Sequence, residues 1–235
     1  MVVSSVEAGQ RAALSQAAQA LGLVLQPEQL DALLAYVALI AKWTKVYNLT
    51  AVRAPAEMLS LHIVDSLAAI PPLRRHLAQA GLENGARLLD VGSGAGLPGV
   101  VMAICCPQLQ VTCVDTVAKK AAFITQAALA LRLPNLHGLH ARVESIEQPF
   151  DVVCSRAFAS LPDFTRWSTP ALSPQGVWLA MKGRVPNDEV LLLAEQSPDV
   201  DVFHVEPLHV PNLDAERCIV WMRPKPASQP LSPDS

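Results

Sequence analysis

Leu88-Leu89-Asp90-Val91-Gly92-Ser93-Gly94-Ala95-Gly96-Leu97-Pro98-Gly99 is the stretch on which the fold turns. Arg87 to Val91 is a short apolar strand and Leu97 to Cys106 continues at helical spacing, so the segment reads as strand, tight loop, helix. Glycines let such a loop turn sharply and bring its backbone close to a ligand. The same rhythm runs outward from it. Val111 to Val114 is a strand closed by Asp115, and Ala118 to Leu131 is a helix with Lys119 and Lys120 in its first turns. Further strands are expected at Leu136 to His140, Asp151 to Ser155, Val177 to Met181, Val202 to Val205 and Cys218 to Met222, with helices near Pro162 to Leu172 and Pro186 to Leu193. Alternation of this kind predicts an α/β fold: a mostly parallel, seven-stranded, doubly wound sheet with helices on both faces. The last two strands leave no room for a helix between them and should form an antiparallel edge.

Upstream the pattern is helical. Residues 8–22 are rich in alanine, glutamine and leucine. Pro27 opens a segment in which Leu30, Leu33, Leu34, Val37, Ile40 and Val46 recur near helical spacing, and Pro55 opens another in which Leu59, Ile63, Leu67 and Ile70 form one stripe. Pro71-Pro72 should stop that helix, and His62, Asp65 and Ser66 share its other face. The expected division is a helical subdomain at 1–84, a ligand-binding domain at 85–223 and a disordered tail at 224–235, where four prolines mix with serines.

Composition narrows the class. With 51% apolar and 17% charged residues the chain is globular rather than disordered. Its longest apolar runs, Leu33 to Ala41 and Val100 to Cys106, are each under ten residues, so no membrane span is expected. The first ten residues lack a basic stretch followed by an apolar one, which predicts a cytoplasmic protein. Five cysteines without a C-x-x-C pair read as reduced core thiols, and no metal site is expected. A formal net charge of -3 offers no global attraction to a polyanion, so any nucleic-acid contact must use a local patch.

Gly94, Gly96 and Gly99 also satisfy G-x-G-x-x-G, which leaves a dinucleotide reading formally open. Asp90 weighs against it, because a carboxylate aimed into the crevice would repel a pyrophosphate lying over the helix N-terminus. S-adenosylmethionine, with a sulfonium, an ammonium and no phosphate, suits Asp90 and Gly92 better. Asp115, 23 residues beyond Gly92, stands where a carboxylate accepts from ribose hydroxyls in either cofactor. Val143 and Glu144 fall at the carboxyl edge of the third strand, where one could cover an adenine face; Glu144 serves equally as a first-turn partner of a helix dipole. Arg156 ends the fourth strand beside the expected donor position, and Lys182 ends the fifth.

Tyr47-Asn48-Leu49-Thr50, His62-Ile63-Val64-Asp65-Ser66, the glycine loop, Ser155-Arg156-Ala157-Phe158-Ala159 and Leu179-Ala180-Met181-Lys182-Gly183 together resemble the RsmG (GidB) family of bacterial ribosomal RNA guanine-N7 methyltransferases. The resemblance runs in unbroken order from about residue 25 to 223. It implies a class I, Rossmann-like methyltransferase domain behind a helical extension, using S-adenosylmethionine to methylate N7 of guanine 527 in 16S rRNA. The family's cofactor contacts fall on Gly92, Leu97, Val143, Glu144 and Arg156. Asn48, Thr50, Arg53, His62, Asp65 and Ser66 match its motifs too, either as substrate contacts or as a polar face bracing the cofactor domain.

N7 of guanine is an unprotonated acceptor at neutral pH, so no general base is required. Arg156 or Lys182 would orient the base as positioning and electrostatic groups. RNA contacts are expected from Lys45, Asn48, Arg53, His62, Lys119, Lys120, Lys182 and Arg184, with Lys42 and Arg142 beside them, and stacking from Trp43, Tyr47 or Phe158. The expected partner is the small ribosomal subunit or an assembly intermediate, engaged by a monomer. The alternatives are a methyltransferase of another RNA base and a non-catalytic ribosome-assembly module. An adenine-N6 enzyme would want an Asn/Asp-Pro-Pro-aromatic segment where Ser155-Arg156-Ala157-Phe158 stands, and a cytosine-C5 enzyme an activated cysteine, whereas Cys154 reads as strand core.

Overall fold

The computed structural model describes residues 5–226. Two long helices come first, α1 (Ser5–Ala20) and α2 (Pro27–Tyr47). Proline at the first position of α2 costs no hydrogen bond there, and Gln26 and Gln29 close a reciprocal capping box. Next come α3 (Pro55–Met58), a π-helical turn (Leu59–Val64), α4 (Asp65–Leu67) and α5 (Ile70–Ala80). The strands are β1 (Arg87–Val91), β2 (Gln110–Asp115), β3 (Leu136–His140), β4 (Phe150–Arg156), β5 (Leu172–Lys182), β6 (Val200–Leu208) and β7 (Arg217–Pro224). Between them lie α6 (Gly99–Cys105), α7 (Ala118–Ala130), α8 (Leu161–Ser168) and α9 (Asn187–Gln196).

The strands form one sheet in the order β3-β2-β1-β4-β5-β7-β6. The first five are parallel, and β7 runs antiparallel to both β5 and β6, as the missing crossover helix requires. Leu88 and Leu89 on β1, Val152 and Val153 on β4, and Leu179 and Ala180 on β5 are all buried, so the central strands are covered on both faces. One face carries Leu88, Val111, Cys154 and Leu179 into a core shared with Leu33, Tyr36, Ile40, Ile63 and Leu67 of the N-terminal helices. The expected boundary at residue 84 therefore separates helix from sheet, but the apolar core continues across it. The other face packs Leu89, Val153 and Trp178 against Leu161 and Phe164 of α8 and Leu193 of α9.

Three expectations need correction. Pro71-Pro72 end the preceding helical run but also occupy the first turn of α5, where their missing N–H groups have no helical partner to lose. The segment around His62 is π-helical, not α-helical, and the extra residue in its turn brings His62, Asp65 and Ser66 inward, so the expected polar face is buried. The tail does not begin at 224: Pro224 pairs with Val200 and the Lys225 N–H donates to Asp199 O at 2.7 Å. Its remainder from 227, and residues 1–4, lie outside the described residues. All five cysteines are free and buried. No helix among the described residues is long and apolar enough to cross a membrane, and no three metal-ligating side chains cluster among them.

Candidate functional site

Parallel strands of an open sheet present their ligand sites at their carboxyl ends, and two adjoining cavities lie there. The first, about 380 Å³, is lined by Gly92, Asp115, Val143, Glu144, Phe158 and Trp167 among others. The second, about 340 Å³, is lined by His62, Asp65, Arg156, Met181, Lys182 and Arg217 among others. Ala157 belongs to both walls. It follows the last residue of β4 with φ 53°, a left-handed conformation that turns the chain sharply off the strand. A cleft of about 550 Å³ between α7 and β3 sits away from this edge and gathers Arg132 and His137 as its only side chains able to titrate.

The glycine loop shapes the first cavity. Gly92 has φ 64°, and a Cβ there would come 2.2 Å from Phe158 Cδ2, so the absent side chain is what lets the ring close over the backbone. Behind the loop, the Tyr36 hydroxyl on α2 donates to Ala95 O and, at 3.2 Å, to Gly96 O. A Cβ on Gly96 would strike Val100 at 2.5 Å. The N-terminal helices thus hold the loop from the side opposite the cavity. Asp115 is 6% exposed; its Oδ2 accepts from the Gly94 N–H at 3.0 Å and its Oδ1 from the Val117 N–H at 2.9 Å. Each oxygen keeps a lone pair for a further donor such as a ribose hydroxyl. Lys120 stands 3.7 Å away. Apolar walls from Val91, Val143, Phe158 and Trp167 suit a flat heterocycle.

Asp90 does not face this cavity, contrary to expectation. It is fully buried beneath the loop, where its Oδ2 accepts from the Gly99 N–H at 2.9 Å and lies 3.9 Å from Cys113 Sγ, while Oδ1 has no partner. Burial pushes its carboxyl up to about 7, offset in part by the Gly99 bond and by Arg156. Its charge therefore gives no direct reason to refuse a pyrophosphate. Gly94, Gly96 and Leu97 likewise line neither cavity: Gly94 serves Asp115, Gly96 meets Tyr36, and Leu97 is core. Of the expected cofactor residues, Gly92, Asp115, Val143 and Glu144 line the first cavity and Arg156 the second.

In the second cavity a buried carboxylate joins three elements. Asp65 Oδ2 accepts from Arg156 Nη1 at 2.9 Å and Asp65 Oδ1 from Arg217 Nε at 2.6 Å, which ties α4 to the ends of β4 and β7. Arg156 also donates to Leu61 O at 3.3 Å. Lys182 Nζ donates to Ala159 O at 3.0 Å and to Glu189 Oε2 at 2.8 Å. Neither Arg156 nor Lys182 is a loose cation waiting for a base. His62 Nε2 is 2.8 Å from Thr50 Oγ1, and its buried Nδ1 has no partner. Burial first, and Arg156 second, lower its pKa, so the imidazole is neutral at pH 7.

Asn48 caps α2 in a left-handed conformation, and its Oδ1 accepts from Arg53 Nη2 at 2.8 Å, while Arg53 Nη1 donates to Thr44 O. These two expected RNA contacts hold one another. Lys45, Lys119 and Arg184 are exposed, and Lys120 sits on the wall of the first cavity. Trp43 packs on Phe123 at 5.3 Å between ring centroids, which makes it partly core. Sequence reasoning missed Arg217, Glu189 and Trp167. The signal for Arg217 was available: it stands just before the expected strand Cys218 to Met222, which must run antiparallel to the one ending at Lys182, so the two ends meet.

Comparison with known proteins bears on this arrangement. The family model described as rRNA small subunit methyltransferase G matches residues 29–220. A ribosomal RNA small subunit methyltransferase G of Polaromonas naphthalenivorans is 67% identical over 222 residues, covering 94% of this chain and 99% of that one. One of the same description from Acidovorax sp. is 65% identical, covering 90% and 94%. Among solved structures, a ribosomal protein L11 methylase from Lactobacillus delbrueckii subsp. bulgaricus aligns at TM-score 0.52 with 13% identity, covering 68% of this chain and 78% of that one. TrmN from Thermus thermophilus aligns at TM-score 0.50 with 20% identity, covering 71% and 53%. At such identities the structural likeness speaks for the class I methyltransferase fold alone.

Proposed function

The chain belongs to the rRNA small subunit methyltransferase G family, and from that premise we propose that it methylates N7 of guanine 527 in the 16S rRNA of the small ribosomal subunit or of an assembly intermediate. Its cofactor is S-adenosylmethionine, which when bound supplies an electrophilic methyl group on a cationic sulfur. The observation that carries the reading is the meeting of the two cavities at Ala157, one fit for an adenosine and one rimmed by cations.

The residues present fit that cofactor. Asp115 would take the ribose hydroxyls, Val143 and Phe158 would enclose the adenine, and Gly92 would allow close approach of the backbone. Arg156, Arg217 and Lys182 line the second cavity, where the two arginines favour an electron-rich purine edge and an adjacent phosphate. Asp65 offsets two of those cations, and neutral His62 adds none, which limits repulsion as the purine gains positive charge. The N7 lone pair is free at neutral pH, so the chain need not remove a proton before transfer. Catalysis then rests on positioning. In this reading the enzyme acts as a monomer, and a ribosomal substrate favours a cytoplasmic location.

The test is incubation of undermethylated small subunits with labelled S-adenosylmethionine, followed by nuclease mapping and nucleoside digestion. N7-methylguanosine at the single expected position is the predicted product. Label in another base, or none in RNA, refutes the proposal.

A further inference from the structure

The segment between β4 and α8, residues 157–160, starts at the wall between the two cavities, where Ala157 lines both and Phe158 lines the first. It carries Ala157 in its left-handed conformation and Phe158 against Gly92. Outside the strand ladder, and among the described residues, the main chain of residues 157–159 receives one hydrogen bond, from Lys182 Nζ to Ala159 O at 3.0 Å. Glu189 on α9 completes the tie. Its Oε2 accepts from Lys182 Nζ at 2.8 Å and from the Leu161 N–H, just past the segment, also at 2.8 Å. One carboxylate oxygen thus joins the end of β5, the start of α8 and α9.

A main-chain segment with so few ties of its own takes its position from whatever holds it. Phe158 makes edge contacts with Phe164 at 6.3 Å and Trp167 at 5.9 Å between centroids, and both rings belong to α8, whose first turn is held by the Ser160 side-chain cap and by the bond from the Leu161 N–H to Glu189. Charge-assisted hydrogen bonds with Lys182, 18% exposed, and Glu189, 32% exposed, are shielded enough to act as a brace.

We propose that Glu189 is a positioning residue for the cofactor cavity: acting through Lys182 and the Leu161 N–H, it pins the 157–160 wall so that Phe158 stays seated on Gly92. The inference rests on the cofactor reading above. It gives Lys182 the task of holding the wall and leaves recognition of the base to other groups.

The probe is S-adenosylhomocysteine, its affinity measured by calorimetry on the full chain, beside steady-state kinetics on undermethylated small subunits. Glu189→Ala is expected to weaken S-adenosylhomocysteine by about tenfold, which is about 1.4 kcal/mol and the scale of one lost hydrogen bond, while KM for the subunit stays within about twofold. Glu189→Gln keeps an oxygen for both donors and should recover most of the affinity. Lys182→Met cuts the brace from its other end and must reproduce the loss seen in Glu189→Ala, which keeps the question open to decision if Glu189→Ala does not fold. Unchanged cofactor affinity in Glu189→Ala, or a Lys182→Met variant that binds the cofactor normally while its subunit KM rises, overturns the proposal. Failure of the unaltered protein to bind S-adenosylhomocysteine removes the cofactor reading itself, and this inference with it.

Discussion

Gly92→Ala perturbs two quantities that the structure separates. The first is backbone conformation, since φ 64° is left-handed and an L side chain there costs about 1–2 kcal/mol. The second is space. The new Cβ would sit 2.2 Å from Phe158 Cδ2, and the ring cannot retreat freely because Phe164 and Trp167 stand behind it, so overpacking adds about 1–3 kcal/mol. Gly94→Ala is the matched control: φ is 59° but nothing lies within 4 Å of its Cβ position, leaving only the conformational part. At about 2–4 °C per kcal/mol for a chain of this length, Gly94→Ala should melt roughly 2–8 °C below the unaltered protein. On the same scale Gly92→Ala should melt roughly 2–12 °C below Gly94→Ala. Thermal unfolding of the three proteins by circular dichroism measures this directly. S-adenosylhomocysteine binding adds a second readout, because a Phe158 ring displaced into the cavity should weaken it by about tenfold in Gly92→Ala, about 1.4 kcal/mol and within the overpacking range. Equal melting temperatures for the two variants would refute the reasoning, since they differ only in what the added methyl meets.

Other outcomes follow from the buried charges. Asp65→Asn leaves Arg156 and Arg217 with half their partner; removing one side of such a cluster costs about 3–5 kcal/mol when fully buried, and the partial exposure of the two arginines lowers this to about 2–3 kcal/mol in urea unfolding. A shift below about 0.5 kcal/mol would show that the bridge adds nothing to the fold. Asp90 titrates near 7 when folded and near 4 when unfolded, so it favours the folded state fully below about pH 4 and loses that advantage as pH rises through 7. Between pH 5 and 8 this removes roughly 2–3 kcal/mol, and Asp90→Asn should flatten that part of the profile; an unchanged slope contradicts the assignment.

Much of this arrangement is legible in the amino-acid sequence. The seven strands were visible because short apolar runs bounded by turn residues report a two-sided sheet, and the antiparallel pair because its connection was too short for a crossover. Gly92, Asp115, Val143 and Arg156 could be placed by counting from strand ends. The π-helical turn could not, because an added residue per turn leaves no mark on a stripe as short as Leu59 to Ile70. Asp90 was misplaced for a related reason: two-residue alternation fixes the face of a strand but not whether the next loop folds over it. Glu189 escaped because its importance arises from a contact across 28 residues of chain, to Leu161, which no local pattern encodes; the antiparallel pairing put Arg217 beside Lys182, but its contact with Asp65, 152 residues away, is visible only in the fold.

The position of β7 has a consequence for synthesis. Among the described strands β7 comes last along the chain yet is interior, wedged between β5 and β6, so until it has been made the sheet stays open along two unsatisfied edges. Frameshifts or stop codons that remove only the residues after Asn212 should therefore be as damaging as lesions in the glycine loop, and the exposed margins would make the truncated product prone to self-association.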